Sequence, residues 1–219
     1  FSNRPEEDQL AEQRLRKAAE IAGFREITFC PEPVAAAYDF ASDLEEPRNV
    51  LVADLGGGTS DFTLVRMHAG GFTPDNVLAV GGVSVAGDAV DGSLVRSTVA
   101  PELGGRTQYR VPFGSNVMPF PSDLIELMSS HADLTLVDRP KVLRRLSDIA
   151  TGAVDIADRD KLSKFSAVVE DGVGFELYEA VEQCKRRLSD AELTRLALDY
   201  PGAEFALDVS RDALERSAE

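Results

Sequence analysis

A run of glycines with polar neighbours is the part of this sequence best suited to chemistry. The stretch LVADLGGGTSDFTLV places Gly56, Gly57 and Gly58 between an apolar run carrying Asp54 and a second run that follows Thr59. Three residues without a Cβ let another group approach the backbone closely and expose successive N–H donors, which suits phosphate. Asp54 is placed for a metal ion or a metal-bound water, and Thr59 adds a hydroxyl. The alternative is a glycine-rich turn beside an ordinary solvated carboxylate.

A second set of polar side chains follows one face of a predicted helix at residues 175–189. Its apolar residues recur at i, i+4, i+7 and i+11, which predicts a face turned towards a core. About 100° away lies a polar stripe: Tyr178, Glu182, Lys185, Arg186 and Ser189. This stripe fits a solvated face with ion pairs three and four residues apart. The alternative is a face that binds a planar polar ligand, such as the ribose and base of a nucleoside.

The strands that would position the glycines follow from the hydrophobic pattern. Residues 50–53 form a short apolar run typical of a buried strand, and residues 62–67 alternate with a period of two. The glycines between them therefore predict a hairpin turn. A third strand is predicted over residues 77–80.

Capping and turn signals predict the remaining elements. They are a helix from Pro5 to Gly23, a strand at 27–30, a helix from Pro33, a helix from near Gly87, a loop over 101–122, a helix opened by Asp138 and Pro140, the helix from Gly174 to Asp190, a hairpin around Pro201-Gly202 and a last helix capped by Ser210.

Composition limits the kind of protein. The 219 residues, 43% hydrophobic and 28% charged, are ordinary for a globular chain that buries a core. A net charge of −15 disfavours nucleic acid or an anionic membrane as the main partner. No apolar run approaches the length of a membrane span. Cys30 and Cys184 lie far apart in apolar patterns, which predicts reduced core cysteines in a cytoplasmic protein.

Four ordered motifs resemble one family. PEPVAAA, ADLGGGTSDFTL, AGDAVD and EQCKRRLS occur in the order and at roughly the distances seen in the nucleotide-binding domain of DnaK-type heat-shock protein 70 chaperones, which belong to the actin-like ATPases. The resemblance covers residues 8–91 and 176–216. It fails over about 101–170, where this chain is longer than the typical chaperone. That enlarged segment, with AEIAGFREITFCPEPVAAA, looks most like the YegD-like branch.

The resemblance implies a site for ATP or ADP with Mg²⁺. Glu32 matches the acid that helps organise the water shell of the metal and the attacking water. Asp54 matches the aspartate linked to the magnesium ion, mainly through water. Thr59 and the preceding glycines, Gly56, Gly57 and Gly58, match the second phosphate loop, which holds the β- and γ-phosphates. Asp61 matches an acid near the same site.

Two further groups of residues match the family, the first of them only in part. Gly87 matches the second glycine of the family's GGED turn, although Ala86, Asp88 and Ala89 depart from that pattern. Glu182, Lys185, Arg186 and Ser189 match the helix that clamps adenosine, so the resemblance favours a ligand face for the polar stripe.

The implied fold is α/β: part of the ribonuclease H-like fold of actin-like ATPases, with a mixed helical and β-hairpin cap. Residues 1–46 would end the core of the first lobe. Residues 47–87 would start the core of the second lobe and carry the phosphate loop. Residues 88–219 would form its cap subdomain, including the enlarged segment 101–170.

The implied function is an ATP-binding and ATP-hydrolysing module of an Hsp70-like chaperone, with client polypeptides or co-chaperones as partners of the parent protein. Because the family's first phosphate loop and adenosine loop have no match here, we expect a fragment that is inactive alone. Open sheet edges predict self-association. The alternatives are a filament-forming actin-like protein similar to MreB or FtsA, and a sugar or metabolite kinase of the same superfamily.

Overall fold

The computed structural model describes residues 5–30, 32, 35, 40, 44–68, 76–111 and 116–218. The chain divides into two compact units, Phe1–Gly87 and Asp88–Glu219. Both combine helices with small antiparallel sheets, so the fold class is α/β, as predicted. Among the helices described, none is both long and apolar enough to cross a membrane.

The first unit opens with helix α1, Pro5–Ile21. It ends at Ile21, just before the predicted stop Gly23, whose φ of +98° is a left-handed conformation that glycine adopts without strain. The apolar stripe of this helix is not covered, since the side chain of Leu15 is 61% exposed.

Two predictions for the following segment are wrong. Residues 27–30 pair with no other strand among the described residues, and Cys30 is exposed rather than part of a core. A short apolar run does not by itself specify a strand, because a strand requires a partner. The predicted helix from Pro33 falls largely outside the described residues. Within it, Ala35 and Phe40 are helical.

A three-stranded antiparallel sheet follows, in the order β1-β2-β3. Its strands are β1, Arg48–Leu55, β2, Ser60–Met67, and β3, Val77–Val83. The predicted hairpin is confirmed: Leu55 pairs with Ser60 across the glycine loop. One face of the sheet is buried around Val65 and Met67.

The opposite face of this sheet is apolar and exposed. The strand register places Leu51, Leu55, Phe62 and Val83 on that face. Their exposed fractions range from 40% for Phe62 to 69% for Leu55. Among the described residues of the first unit, one side of the sheet is therefore buried and the other is exposed.

The second unit is mainly helical. Its elements are α2, Gly87–Leu94; a π-helical turn, Val95–Val99; α3, Ala100–Glu102; β4, Gln108–Arg110; β5, Val117–Pro119; α4, Ser122–Met128; α5, His131–Thr135; α6, Arg139–Gly152; α7, Ala157–Asp171; α8, Gly174–Leu188; β6, Leu193–Leu198; β7, Phe205–Ser210; and α9, Arg211–Ala218.

The predicted capping residues act where the sequence placed them. The Asp138 carboxylate accepts a hydrogen bond from the Lys141 N–H at 3.3 Å and begins α6. Ser210 Oγ accepts from the Ala213 N–H at 3.1 Å and begins α9. Since these bonds satisfy free N–H groups of a first helical turn, they fix where each helix starts.

One continuous hydrophobic core holds the second unit together. The predicted apolar stripe of α8, which consists of Leu177, Val181, Cys184 and Leu188, is buried in it. The β6-β7 hairpin adds Leu196 and Val209 from its inner face. This core fixes the orientation of α8 and hence of its polar side.

The prediction of a plain loop over 101–122 is wrong. That segment contains the β4-β5 hairpin, in which Tyr109 lies opposite Met118. The hairpin is attached to the end of α6 by a bridge from Tyr109 to Ala153 and a hydrogen bond of 2.8 Å from the Val154 N–H to the Gln108 carbonyl. Three-residue strands leave no periodic pattern, so their pairing depends on contacts distant in sequence.

Candidate functional site

The glycine loop joins β1 and β2 of the first unit. The Gly56 N–H donates to the Thr59 carbonyl at 2.9 Å, which closes the loop. Gly56, Gly57, Gly58 and Thr59 are all exposed. The loop is thus a tight, accessible turn whose backbone a ligand can approach.

Thr59 and Asp61 form a polar pair beside this loop. Thr59 Oγ1 donates to Asp61 Oδ2 at 2.8 Å. Gly82 on β3 lies opposite Asp61, and a Cβ at Gly82 would fall 2.5 Å from Asp61 Oδ1. The glycine therefore makes room for the carboxylate, which the sequence alone did not reveal.

Two carboxylates face each other next to the loop. Asp54 is paired directly with Asp61 across β1 and β2, so both side chains lie on one face of the sheet. Side chains so paired have Cβ atoms about 5 Å apart, and like charges there oppose folding unless a cation offsets them. Among the described residues, no group of three or more His, Cys, Asp or Glu could hold a metal ion. A Mg²⁺ held by one or two carboxylates together with phosphate and water needs no such group.

A second turn lies against the glycine loop. The Gly87 N–H donates to the Gly56 carbonyl at 3.3 Å, and Ser60 Oγ donates to the Val85 carbonyl at 2.9 Å. The structure thereby brings Gly87 next to the loop. Contact of Gly87 with phosphate stays a prediction.

Glu32 is helical and exposed. Its neighbours Pro31 and Pro33 lie outside the described residues. The role predicted for Glu32 beside Asp54 stays a prediction.

The polar side of α8 lies in the second unit. Glu182 and Arg186 are exposed one turn apart, with 3.8 Å between Glu182 Oε1 and Arg186 Nη1. Ser189 is exposed at the end of the helix. These three side chains form an accessible row of acceptor, donor and hydroxyl.

Two members of the polar stripe turn inwards instead. Lys185 Nζ forms an ion pair of 2.7 Å with Asp91 Oδ2 on α2. Tyr178 is only 7% exposed, and its hydroxyl donates to the Met128 carbonyl at 3.0 Å. Desolvation by burial raises the pKa of Tyr178 well above its usual value. The prediction that Tyr178 belongs to an exposed polar face is therefore wrong.

The predicted residues thus fall into two groups. The loop, Asp54, Asp61 and Gly87 come together in the first unit, and Glu182, Arg186 and Ser189 come together in the second. Asp91 was missed. A lone carboxylate among the buried positions of α2 was the signal that could have revealed it.

Comparison with known proteins gives a match to a family model and matches to individual relatives. Residues 8–103 match the model of the family described as Hsp70 protein. A chaperone protein HscA homolog of Pseudoalteromonas atlantica is 31% identical over 194 residues, which cover 86% of this chain and 28% of that protein. HscA homologs of Histophilus somni and Acinetobacter baumannii are 37% and 38% identical over 101 and 94 residues.

The chain is Hsp70-like. The match to the Hsp70 family model and the similarity to HscA homologs confirm the predicted resemblance to the nucleotide-binding domain of Hsp70 proteins. The chain spans less than a third of the length of these relatives, at 28%, 16% and 15%. The Hsp70 match contains the glycine loop, Asp54 and Gly87, whereas α8 lies beyond it.

Proposed function

We propose that this chain supplies phosphate-binding and adenosine-binding elements to the ATP-binding and ATP-hydrolysing module of an Hsp70-like chaperone. The observation that carries the proposal is the accessible glycine loop flanked by Asp54, Asp61 and Thr59, inside the segment that matches Hsp70. Phosphoryl transfer depends on positioning and electrostatics more than on covalent chemistry of the protein. An exposed glycine loop beside carboxylates is suited to that task.

The glycine loop would hold the β- and γ-phosphates. Gly56, Gly57 and Gly58 admit the phosphate oxygens to within hydrogen-bonding distance of the backbone, because no Cβ intervenes. Thr59 would add its hydroxyl as a further donor. In the structure that hydroxyl donates to Asp61, so it would have to turn from the carboxylate to the phosphate.

Asp54 and Asp61 would hold Mg²⁺, with Glu32 assisting through water. The pair fits a divalent cation, because two facing carboxylates otherwise repel each other. When bound, Mg²⁺ supplies positive charge to the phosphate oxygens. Asp54 and Asp61 would orient its water shell, and Glu32 would order the attacking water.

The row Glu182, Arg186 and Ser189 would bind adenosine. Glu182 can accept hydrogen bonds from ribose hydroxyls, and the planar guanidinium of Arg186 can stack on the base. Lys185, which the resemblance also assigns to the adenosine site, is paired with Asp91.

We infer further details from the resemblance alone. Residues 1–46 and 47–87 would belong to the two lobe cores of an actin-like ATPase, with 88–219 as the cap of the second lobe. From the enlarged segment 101–170 we propose that the chain belongs to the YegD-like branch. We also propose a cytoplasmic location, and client polypeptides or co-chaperones as partners of the full-length protein.

Substitution of Asp54 tests the proposal in the full-length protein. Asp54→Asn should lower the rate of ATP hydrolysis about 10- to 100-fold while largely sparing the affinity for nucleotide, because the carboxylate orients metal-bound water. Asp208→Asn, an exposed position on β7, is the matched control. Normal hydrolysis by Asp54→Asn, measured as phosphate release, would refute the assignment.

A further inference from the structure

The end of helix α8 is held by a side chain that does not belong to the row proposed to bind adenosine. Arg211 begins α9, 22 positions beyond Ser189 in the sequence. Its Nε donates to the Leu188 carbonyl at 2.7 Å, and its Nη2 donates to the Ser189 carbonyl at 3.1 Å. Since Ser189 is the last member of the row, Arg211 is bonded to the backbone of a residue proposed to contact the nucleoside.

The β6-β7 hairpin brings Arg211 back to the end of α8. Strand β6 begins at Leu193, shortly after the helix, and β7 ends at Ser210, directly before Arg211. Leu193 and Ser210 are paired across the two strands, and the Arg211 N–H donates to the Glu192 carbonyl at 3.0 Å. Because the inner face of the hairpin is buried in the core of the second unit, the position of Arg211 is fixed by the fold.

The guanidinium of Arg211 has a partner for each of its three nitrogens. Nε and Nη2 hold the two carbonyls of the helix end, and Nη1 forms an ion pair of 3.1 Å with Glu192 Oε1. The side chain is 31% exposed, so these bonds are partly shielded from water. Arginine suits this place because its donors lie in one plane with fixed directions, whereas a lysine has a single nitrogen.

The end of α8 needs such a contact. The last carbonyls of a helix have no partner within the helix, and they carry a partial negative charge that a cation stabilises. Ser189 is exposed, so packing in the core does not hold it in place. Its N–H donates to the Arg186 carbonyl at 3.2 Å, and its carbonyl accepts from Arg211. The backbone of Ser189 is therefore held on both sides, once by the helix and once by Arg211.

We propose that Arg211 is a positioning residue of the adenosine site, which holds the last turn of α8 so that the Ser189 hydroxyl faces the nucleoside. This inference rests on the proposed function, because the role exists only where the row of Glu182, Arg186 and Ser189 binds adenosine. Arg211 itself acts through Ser189, since its own nitrogens are engaged by the helix end and by Glu192.

Fluorescence titration of the full-length protein with a labelled ATP analogue tests the proposal. Arg211→Gln should weaken binding about fivefold, because the hydrogen bonds that fix Ser189 are lost. Arg211→Lys keeps the charge but not the planar set of donors, and should weaken binding about twofold. The matched control is Arg216→Gln, which removes an exposed arginine of α9 that pairs with Asp212 instead. It should bind as tightly as the unmodified protein.

Combination with Ser189→Ala separates positioning from a general effect on stability. Ser189→Ala removes the hydroxyl through which Arg211 is proposed to act. In that background Arg211→Gln should therefore cause less than about a twofold further loss of affinity, because the effects of coupled residues do not add. An equal loss with and without the Ser189 hydroxyl would overturn the proposal.

Hydrogen exchange gives a measure of positioning that does not depend on nucleotide. The N–H groups of Asp190 and Ala191 donate to the Arg187 carbonyl at 3.1 and 3.0 Å, in the turn that Arg211 holds. Local opening of this turn should make both amides exchange about fivefold faster in Arg211→Gln, and not in Arg216→Gln. Unchanged exchange in Arg211→Gln would contradict a positioning role.

Two comparisons keep the outcome decisive. Thermal unfolding of each variant checks the fold, and if Arg211→Gln does not fold, normal binding and exchange in Arg211→Lys overturn the proposal. If Arg186→Ala weakens nucleotide binding while Arg211→Gln does not, Arg211 has no positioning role and the adenosine row stands. If Arg186→Ala and Ser189→Ala both bind normally, the adenosine row is refuted, and the role of Arg211 with it.

Discussion

Two adjacent arginines near the end of α8 have different surroundings. Arg186 lies in the row with Glu182 and Ser189, and its side chain is 76% exposed. Arg187 is also exposed and is not part of that row. Burial raises the pKa of the Cys184 thiol, and the charge of Arg187 acts in the opposite direction. Arg187 is therefore the control for a substitution of Arg186.

Arg186→Ala in the full-length protein should weaken adenosine binding about tenfold, because a stacking and hydrogen-bonding group is lost. The fold should be unaffected, since an exposed ion pair such as that with Glu182 contributes little to stability. Fluorescence titration with a labelled ATP analogue measures the effect. The control variant Arg187→Ala should bind the labelled ATP analogue as tightly as the unmodified protein does. A loss of folding without a specific binding defect would show that the row is structural.

Single residues also show what the sequence could predict. The glycine loop and Asp54 were evident because a three-glycine run between strands is a local pattern. The space that Gly82 provides for Asp61 was not evident from the sequence, because it depends on the register of β3. Asp91 and its partner Lys185 are 94 positions apart, a separation that no local pattern covers.

The helix α8 shows, for a whole element, that the sequence predicts local patterns but not contacts that are distant in the chain. Its apolar stripe was predicted correctly, because periodicity is internal to the helix. The burial of Tyr178 was not predicted, because its partner, the Met128 carbonyl, is 50 positions away in the sequence. The β4-β5 hairpin was missed for the same reason.

Alkaline pH should loosen the packing of α8 against α4. Burial raises the pKa of Tyr178 in the folded state above its unfolded value of about 10. The stability that the neutral hydroxyl contributes is therefore fully present below pH about 10 and decreases as the pH rises further. Tyr178→Phe lacks this ionisation and lacks the hydrogen bond to Met128.

We expect Tyr178→Phe to cost about 1 kcal/mol of unfolding free energy at pH 8. The difference from the unmodified chain should shrink between pH 10 and 11.5. Urea unfolding followed by circular dichroism at several pH values measures both. A constant difference over the whole range would contradict the buried position of the hydroxyl.

The whole molecule distributes its core unevenly. In the second unit α2, α4, α6, α7, α8 and the β6-β7 hairpin surround one hydrophobic cluster. In the first unit the described buried cluster consists of Leu44, Val65 and Met67, and the outer face of the sheet is exposed. Burial of apolar side chains is the main source of stability. The second unit should therefore be the independently stable part.

Removal of residues 1–87 should leave a folded protein. Residues 88–219 keep the entire larger cluster, so they should unfold cooperatively, with a transition within a few degrees of the full chain when followed by circular dichroism.

The full chain should self-associate at high concentration through the exposed sheet face, because large exposed apolar patches mark interaction surfaces. Sedimentation velocity should show residues 88–219 as a monomer, and Leu51→Lys in the full chain should reduce its association. A shortened chain that lacks a cooperative transition would show that its core depends on the first unit. A full chain that stays monomeric would show that the sheet face does not drive association.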